Sequence, residues 1–209
     1  MKFKITLLTF FMALSMSAQT WTNVGSTSFT GASVGFQSMT LDNNDVPYVA
    51  YEDSQNSNKI TVKKFNGTSW VTVGTVGFTA GTSRYLSLVF DSNNIPHVAY
   101  QDWSLGRKTT VMKFNGSNWI NVGASGFALS QFGTSGEHNL IVANGTPYLA
   151  YGDGYNTDVV KFNGTSWVST NFIYSAPGQA AIANLISNNN NIYIGFSDAN
   201  ASDKATVMK

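Results

Sequence analysis

The chain of 209 residues has no cysteine, two histidines, four prolines and only 11% charged side chains. Without cysteine there is no disulfide, no thiolate zinc site and no cysteine nucleophile. Twelve Lys and Arg stand against eleven Asp and Glu, a formal charge of +1. That balance supplies no general attraction to nucleic acid or to an anionic membrane. HExxH, P-loop, GxGxxG and GxSxG patterns are all missing, and no cofactor is expected. What the chain does hold is 43% hydrophobic and 13% aromatic residues, too many for a disordered or collagen-like polymer. Its length suits one domain, or two small ones, with a sizeable core.

The first residues read as a leader. Lys2 and Lys4 precede an apolar run from Ile5 to Leu14, about half the 20 residues that span a bilayer. Ser15, Ser17 and Ala18 then supply the small residues of a secretory cleavage site. Residues 1–18 are therefore expected to be a signal peptide and 19–209 an exported domain, secreted or held at the cell surface or in the periplasm. Loss of Lys2 and Lys4 leaves ten basic against eleven acidic groups, formally −1. No membrane insertion is expected, because no second apolar stretch has comparable length.

Internal repetition dominates the rest. Trp21, Trp70, Trp119 and Trp167 recur at spacings of 49, 49 and 48, and Trp-x-x-Val-Gly follows the first three. Near-identical hexamers end in Trp70, Trp119 and Trp167, beginning at Phe65, Phe114 and Phe162. A second motif begins at Val46, Ile95, Thr146 and Asn191 and ends in Asp53, Asp102, Asp153 and Asp198. The units run over about 21–69, 70–118, 119–166 and 167–209. In the second unit, strand a (85–90), strand b (97–101), strand c (109–114) and strand d (119–122) are separated by Asx, Pro and Asn-Gly punctuation. Val98-Ala99-Tyr100 is a continuous apolar run, as in a strand covered on both faces. Helical periodicity is absent. A four-strand meander every 49 residues or so is the period of a β-propeller blade. The expectation is all-β, about four antiparallel four-stranded blades. A lone strand d at Trp21–Gly25 either completes the last blade and closes the ring, or the array is incomplete, as its end just after Val207-Met208 suggests.

The repeats resemble those of secreted bacterial β-propeller proteins over residues 20–209. The stretch from Val98 to Trp119 is similar in layout to blades of propeller lectins, fucose-binding ones included. This resemblance implies sugar pockets between neighbouring blades, each built from an Arg, an acid and an aromatic. The trio does not recur in step along the sequence. The Asp-x-Gly-x-x-Trp turn of sialidase-like blades is not matched, since Asn66 and Gly67 are adjacent. The kelch double Gly and the WD40 Trp-Asp are missing too.

Candidate site residues cluster after strand b. Asp53, Asp102, Asp153 and Asp198 read either as turn anchors accepting backbone N–H groups or as carboxylates on one binding face. The b–c and d–a loops share that face. Trp103 and Arg107 follow Asp102, Tyr155 follows Asp153, and Arg84 lies in a d–a loop. An aromatic plate beside a carboxylate and a guanidinium suits a sugar ring. His138, next to Glu137, is a further site candidate, whereas His97 occupies the strand-b slot of Tyr48, Tyr148 and Tyr193 and reads as packing. Asn43, Asn44 and Asp45 read as Asx turn residues, and no metal site is expected. The sequons at Asn66, Asn115 and Asn163 fall on hairpin turns, which explain them. The leading expectation is a secreted, non-catalytic module that binds glycans through the b–c/d–a face. The alternatives are a structural or protein-interaction propeller forming the N-terminal part of a larger surface protein, and a glycan-active hydrolase or lyase. The last would draw its acid and base from Glu137, Glu52, His138 or the recurring Asp residues.

Overall fold

The computed structural model describes residues 20–127, 138–152, 156–175, 184–188 and 191–209. The expected leader lies outside them, as do Glu137, Asp153 and Tyr155.

Four antiparallel meanders make up the fold. The first joins β1 (Val34–Leu41), β2 (Pro47–Asp53), β3 (Lys59–Phe65) and β4 (Trp70–Thr72). The second joins β5 (Ser83–Phe90), β6 (Pro96–Asp102), β7 (Lys108–Phe114) and β8 (Trp119–Asn121). The third runs through β9 (His138–Ala143), β10 (Thr146–Gly152), β11 (Asn156–Phe162) and β12 (Trp167–Ser175). β13 (Asn184–Asn188), β14 (Asn191–Asp198) and β15 (Lys204–Met208) form a three-stranded fourth sheet. Among the described residues the only helical elements are 3-10 turns at Ser54–Asn56, Trp103–Leu105 and Ala199–Ala201. No helix there is long and apolar enough to cross a membrane.

Turn chemistry sets the meanders. Asp42 Oδ1 accepts the Asn44 and Val46 N–H groups, and Asp91 Oδ1 accepts those of Asn93 and Ile95. Asn66, Asn115 and Asn163 each accept two backbone N–H groups from the residues after their glycine. Those glycines hold φ of 95 to 98°, left-handed space where a side chain is costly. β6 is buried along its whole length, as its unbroken apolar run requires.

The innermost strands β1, β5, β9 and β13 pack on one another in that order, so the sheets are the blades of a β-propeller. Each step repeats one hydrogen bond. Ser38, Ser87 and Asn139 side-chain oxygens accept the N–H groups of Leu88, Leu140 and Leu185 from the following blade. Apolar residues fill the space between blades: Ile60 and Val62 meet Leu88 and Val98, Val111 meets Leu140 and Leu149, and Val159 meets Leu185 and Ile194.

A second latch works at the rim. Trp70, Trp119 and Trp167 donate their indole N–H to the carbonyls of Val24, Val73 and Val122, one repeat upstream. Phe29, Phe78 and Phe127 stack flat on the same indoles, with centroids 4.4 to 4.6 Å apart. Gly25, Gly74 and Gly123, at φ of 72 to 78°, lie so close to the Phe and Trp rings that a Cβ would meet them at about 3 Å. Residues 73–78 thus stay hydrogen-bonded to β3 of the first sheet, through Val73 and Phe78 N–H, and lock the second. Each 49-residue repeat straddles two blades.

This latch explains a difference from expectation at the N-terminus. Residues 20–25 are coil, not a strand, and Trp21 is 95% exposed. Val24 and Gly25 are committed to the Phe65–Trp70 face of the first blade. They do not add a fourth strand beside β15. The last junction differs as well. Asn171 takes the place of the latch glycine and keeps its left-handed φ, at 66°, which Asn tolerates better than most side chains. The chain then continues as strand, and Phe172 packs edge-on against Phe196.

Candidate functional site

The described b–c loops, those of the first, second and fourth blades, share one design. Asp53 Oδ1 caps the turn at Gln55 N, while its Oδ2 accepts from Asn56 Nδ2 and Thr61 Oγ1 at 2.9 and 2.7 Å. Asp102 Oδ1 accepts from the backbone and hydroxyl of Ser104, and Asp198 accepts from Asn200 N and Thr206 Oγ1. Asp53 and Asp102 are 5% and 1% exposed. These carboxylates point into their own loops, as turn anchors do. Two successive left-handed residues then close each loop: Ser57 and Asn58, Gly106 and Arg107, Ser202 and Asp203.

The second blade carries the distinctive loop. Trp103 N donates to Thr82 O at 3.0 Å, tying the b–c turn to the d–a segment. Gly81 sits so close to Ser104 that a Cβ would meet its Cβ at 2.8 Å. The indole N–H of Trp103 donates to Gln101 Oε1 at 2.9 Å. Over the ring lie two guanidiniums, Arg84 at 4.1 Å and Arg107 at 4.6 Å from its centroid. They fill the space a stacked sugar ring would need, so Trp103 serves as a bed for the arginines rather than as an open plate.

Glu52 completes the cluster from the first blade. It stands next to Asp53 at the end of β2, is 7% exposed, and places Oε1 3.9 Å from Arg84 Nε. Its carboxylate lies against Gly35 of β1, where any Cβ would collide with it. The structure therefore brings together Arg84, Trp103, Arg107 and the loop anchored by Asp102. It adds Glu52, which the sequence suggests only as an acid/base candidate. A signal for it does exist: Gln101, Gly152 and Ser197 fill the equivalent positions, so Glu52 is the one acid in its column.

The other candidates sit apart. Asp53 and Asp198 anchor the loops of the first and fourth blades. His138 lies near the axis, with Nδ1 3.0 Å from Tyr85 O and Nε2 2.8 Å from Thr109 Oγ1. With Phe36, Gln37, Tyr85, Leu86, Asn139 and Asn184 it lines a cavity of about 320 Å³, where the innermost strands of all four blades converge. Tyr85 holds φ of 54° at the bulge of β5, and its ring packs on Phe36 at 4.5 Å. His97 is buried in β6 as expected of packing, and burial pushes its pKa below the usual histidine value. Burial also lifts the Tyr51 phenol to about 12, assisted by the Asp53 charge.

No protein-family model matches the chain, and no curated protein matches its sequence. Solved structures do match. The Aleuria aurantia lectin, in complex with Fucalpha1-6GlcNAc, superposes with a TM-score of 0.57 and 13% identity over 83% of this chain and 62% of its own. A mutant of AofleA from Arthrobotrys oligospora gives 0.57 and 12%, over 83% of this chain and 56% of that one. An alpha-L-arabinofuranosidase from Clostridium thermocellum gives 0.52 and 16%, over 82% and 66%. The chain thus spans less than two thirds of the length of each. At these identities the likeness shows the fold, a β-propeller.

Proposed function

We propose that residues 19–209 form a secreted, non-catalytic binding module for glycans, with the b–c/d–a face as its working surface. One observation carries this reading: an arginine, a buried acid and an aromatic, Arg84, Glu52 and Trp103, meet at the junction of two neighbouring blades. Guanidinium and carboxylate groups offer the directional hydrogen bonds that sugar hydroxyls require. The lectins among the structures of this fold lend support, and the leader-like residues 1–18 supply a route to the outside. Glycan-array binding of the intact chain tests the reading, with Arg84→Ala as the control. Binding that the substitution removes supports it; silence towards every glycan at millimolar concentration ends it.

A second reading, a protein-interaction propeller, is favoured by one other feature. Exposed Met208 lines an apolar groove of about 220 Å³ between the third and fourth blades, with Tyr148, Phe172, Leu185 and Ile194 among others, and exposed Ile186 and Val207 lie on the opposite face of the fourth sheet. Exposed apolar surface of this kind marks contact sites. Pull-down partners that depend on Val207 and Met208, together with an inert glycan array, would favour it.

A further inference from the structure

The arginine pair narrows the ligand class. Each guanidinium carries five N–H donors and no acceptor. Among the described residues neither Arg84 nor Arg107 donates a hydrogen bond to the protein, and Arg84 Nε is buried without a partner. Glu52, at 3.9 Å, is close enough to attract Arg84 but too far for a hydrogen bond. Asp102, five residues before Arg107, spends its Oδ1 on Ser104. Gln101, which takes the indole N–H, is neutral. Two guanidiniums therefore share one indole with no carboxylate within hydrogen-bonding distance, leaving a fan of unused donors.

The backbone at Arg107 makes the same point independently. Its φ is 64°, and the equivalent loop positions hold Asn58 and Asp203, both at 59°. Asn and Asp are the side chains that accept left-handed backbone. Arginine is not, so here a poor conformational choice places a guanidinium over Trp103. Such strain concentrates where a side chain has a task.

We infer that this site takes an acidic saccharide, one bearing a carboxylate or sulfate group that Arg84 and Arg107 clamp from their bed on Trp103. Planar guanidinium forks match carboxylate and sulfate oxygens in pairs. Glu52 holds Arg84 in place from the neighbouring blade. The sugar ring lies beyond the clamp, because the guanidiniums already cover the indole.

This inference rests on the glycan-binding reading, and the experiment separates the two. Calorimetric titration of the intact chain uses a uronate oligosaccharide, a sulfated oligosaccharide, a neutral oligosaccharide of equal length and inorganic sulfate, each at low and high salt. At least one acidic saccharide is expected to bind about tenfold or more tighter than the neutral one, to weaken with added salt, and to lose that advantage in Arg107→Asn. The asparagine variant suits the local backbone, and an unchanged or raised melting temperature confirms that it folds. The uronate and sulfate arms show which anion is preferred. Equal binding of the neutral saccharide, unaffected by Arg107→Asn, overturns the acidic-ligand inference and leaves the glycan reading intact. No binding by any saccharide overturns both. Inorganic sulfate binding as tightly as its saccharide overturns the inference in favour of a simple anion site.

Discussion

Arg107 sets function against stability within one residue. A left-handed φ costs a non-glycine residue on the order of 1–2 kcal/mol, less for asparagine. Arg107→Asn is expected to raise the melting temperature by about 2–4 °C, the shift that roughly 1 kcal/mol gives a chain of this size; scanning calorimetry reads it directly. Gly35 acts from the other side. A Cβ there would collide with the Glu52 carboxylate, so Gly35→Ala should swing Glu52 away from Arg84. The expected result is weaker ligand binding than wild type with β1 still formed, measured by titration alongside circular dichroism. His97 carries the pH dependence. Its folded pKa lies below its unfolded value near 6.5, so the unfolded chain binds the proton more readily. Stability is complete above that value and falls as pH drops through it, until the folded pKa is reached. Between pH 7.5 and 5 the melting temperature should fall, and should fall less in His97→Tyr, which installs the residue found at Tyr48, Tyr148 and Tyr193. An equal fall in both proteins would place the titration elsewhere.

At the scale of elements, the junction between blades depends on a tryptophan held partly from a full repeat upstream. Trp119 is buried between Phe78 and Phe114, and its N–H reaches Val73 across 46 residues of sequence. Truncating a buried aromatic of this kind costs about 3–5 kcal/mol. Trp70 makes the same bonds but is only half-buried, covered on its upstream side by Phe29 and the coil at Val24 and Gly25. Chemical denaturation should therefore show Trp119→Ala destabilised well beyond Trp70→Ala. The spacing of the tryptophans, the Asn-Gly hairpins and the apolar run of β6 make the four-strand blade legible in the sequence alone. The inter-blade hydrogen bonds are not, because a partner one repeat away leaves no trace in local periodicity. The Gly-x-x-x-Phe signal from Gly25, Gly74 and Gly123 is in plain sight, but its meaning depends on Phe and Trp rings that only folding brings together. For the same reason Trp21–Gly25 reads as strand: its residues match β4 and β8, while in the fold Val24 and Gly25 are held by the Phe65–Trp70 face. Trp103, Arg107 and Asp102 are legible as neighbours around one b–c loop, whereas Arg84, expected in the d–a loop, stands instead in β5 and pairs with Gln101. Glu52 stands out as the one acid in its repeat column, but its place beside Arg84 is hidden, since it enters the site from another blade.

Across the whole molecule the repeats are alike in backbone and unlike in chemistry. All the described b–c loops keep the Asp anchor and the paired left-handed residues, so the scaffold presents similar geometry at successive junctions. Trp103 nevertheless corresponds to Ser54 and Ala199 at equivalent loop positions, and Arg84 corresponds to Gly35. Repetition in a propeller commonly multiplies a site, and several weak sites on one rigid body gain avidity when a ligand reaches more than one. Here, among the described residues, the junction of the first two blades alone gathers Glu52, Arg84, Trp103 and Arg107. The chain is therefore expected to bind a short saccharide with a stoichiometry of one, and immobilising the saccharide densely should yield no avidity gain for the monomeric chain. Calorimetry of the intact protein gives the stoichiometry, and surface binding at two ligand densities gives the avidity. Two or more equivalent sites per chain would mean that recognition resides in the repeated features, the loop anchors and the latch aromatics, rather than in the one cluster where the repeat is broken.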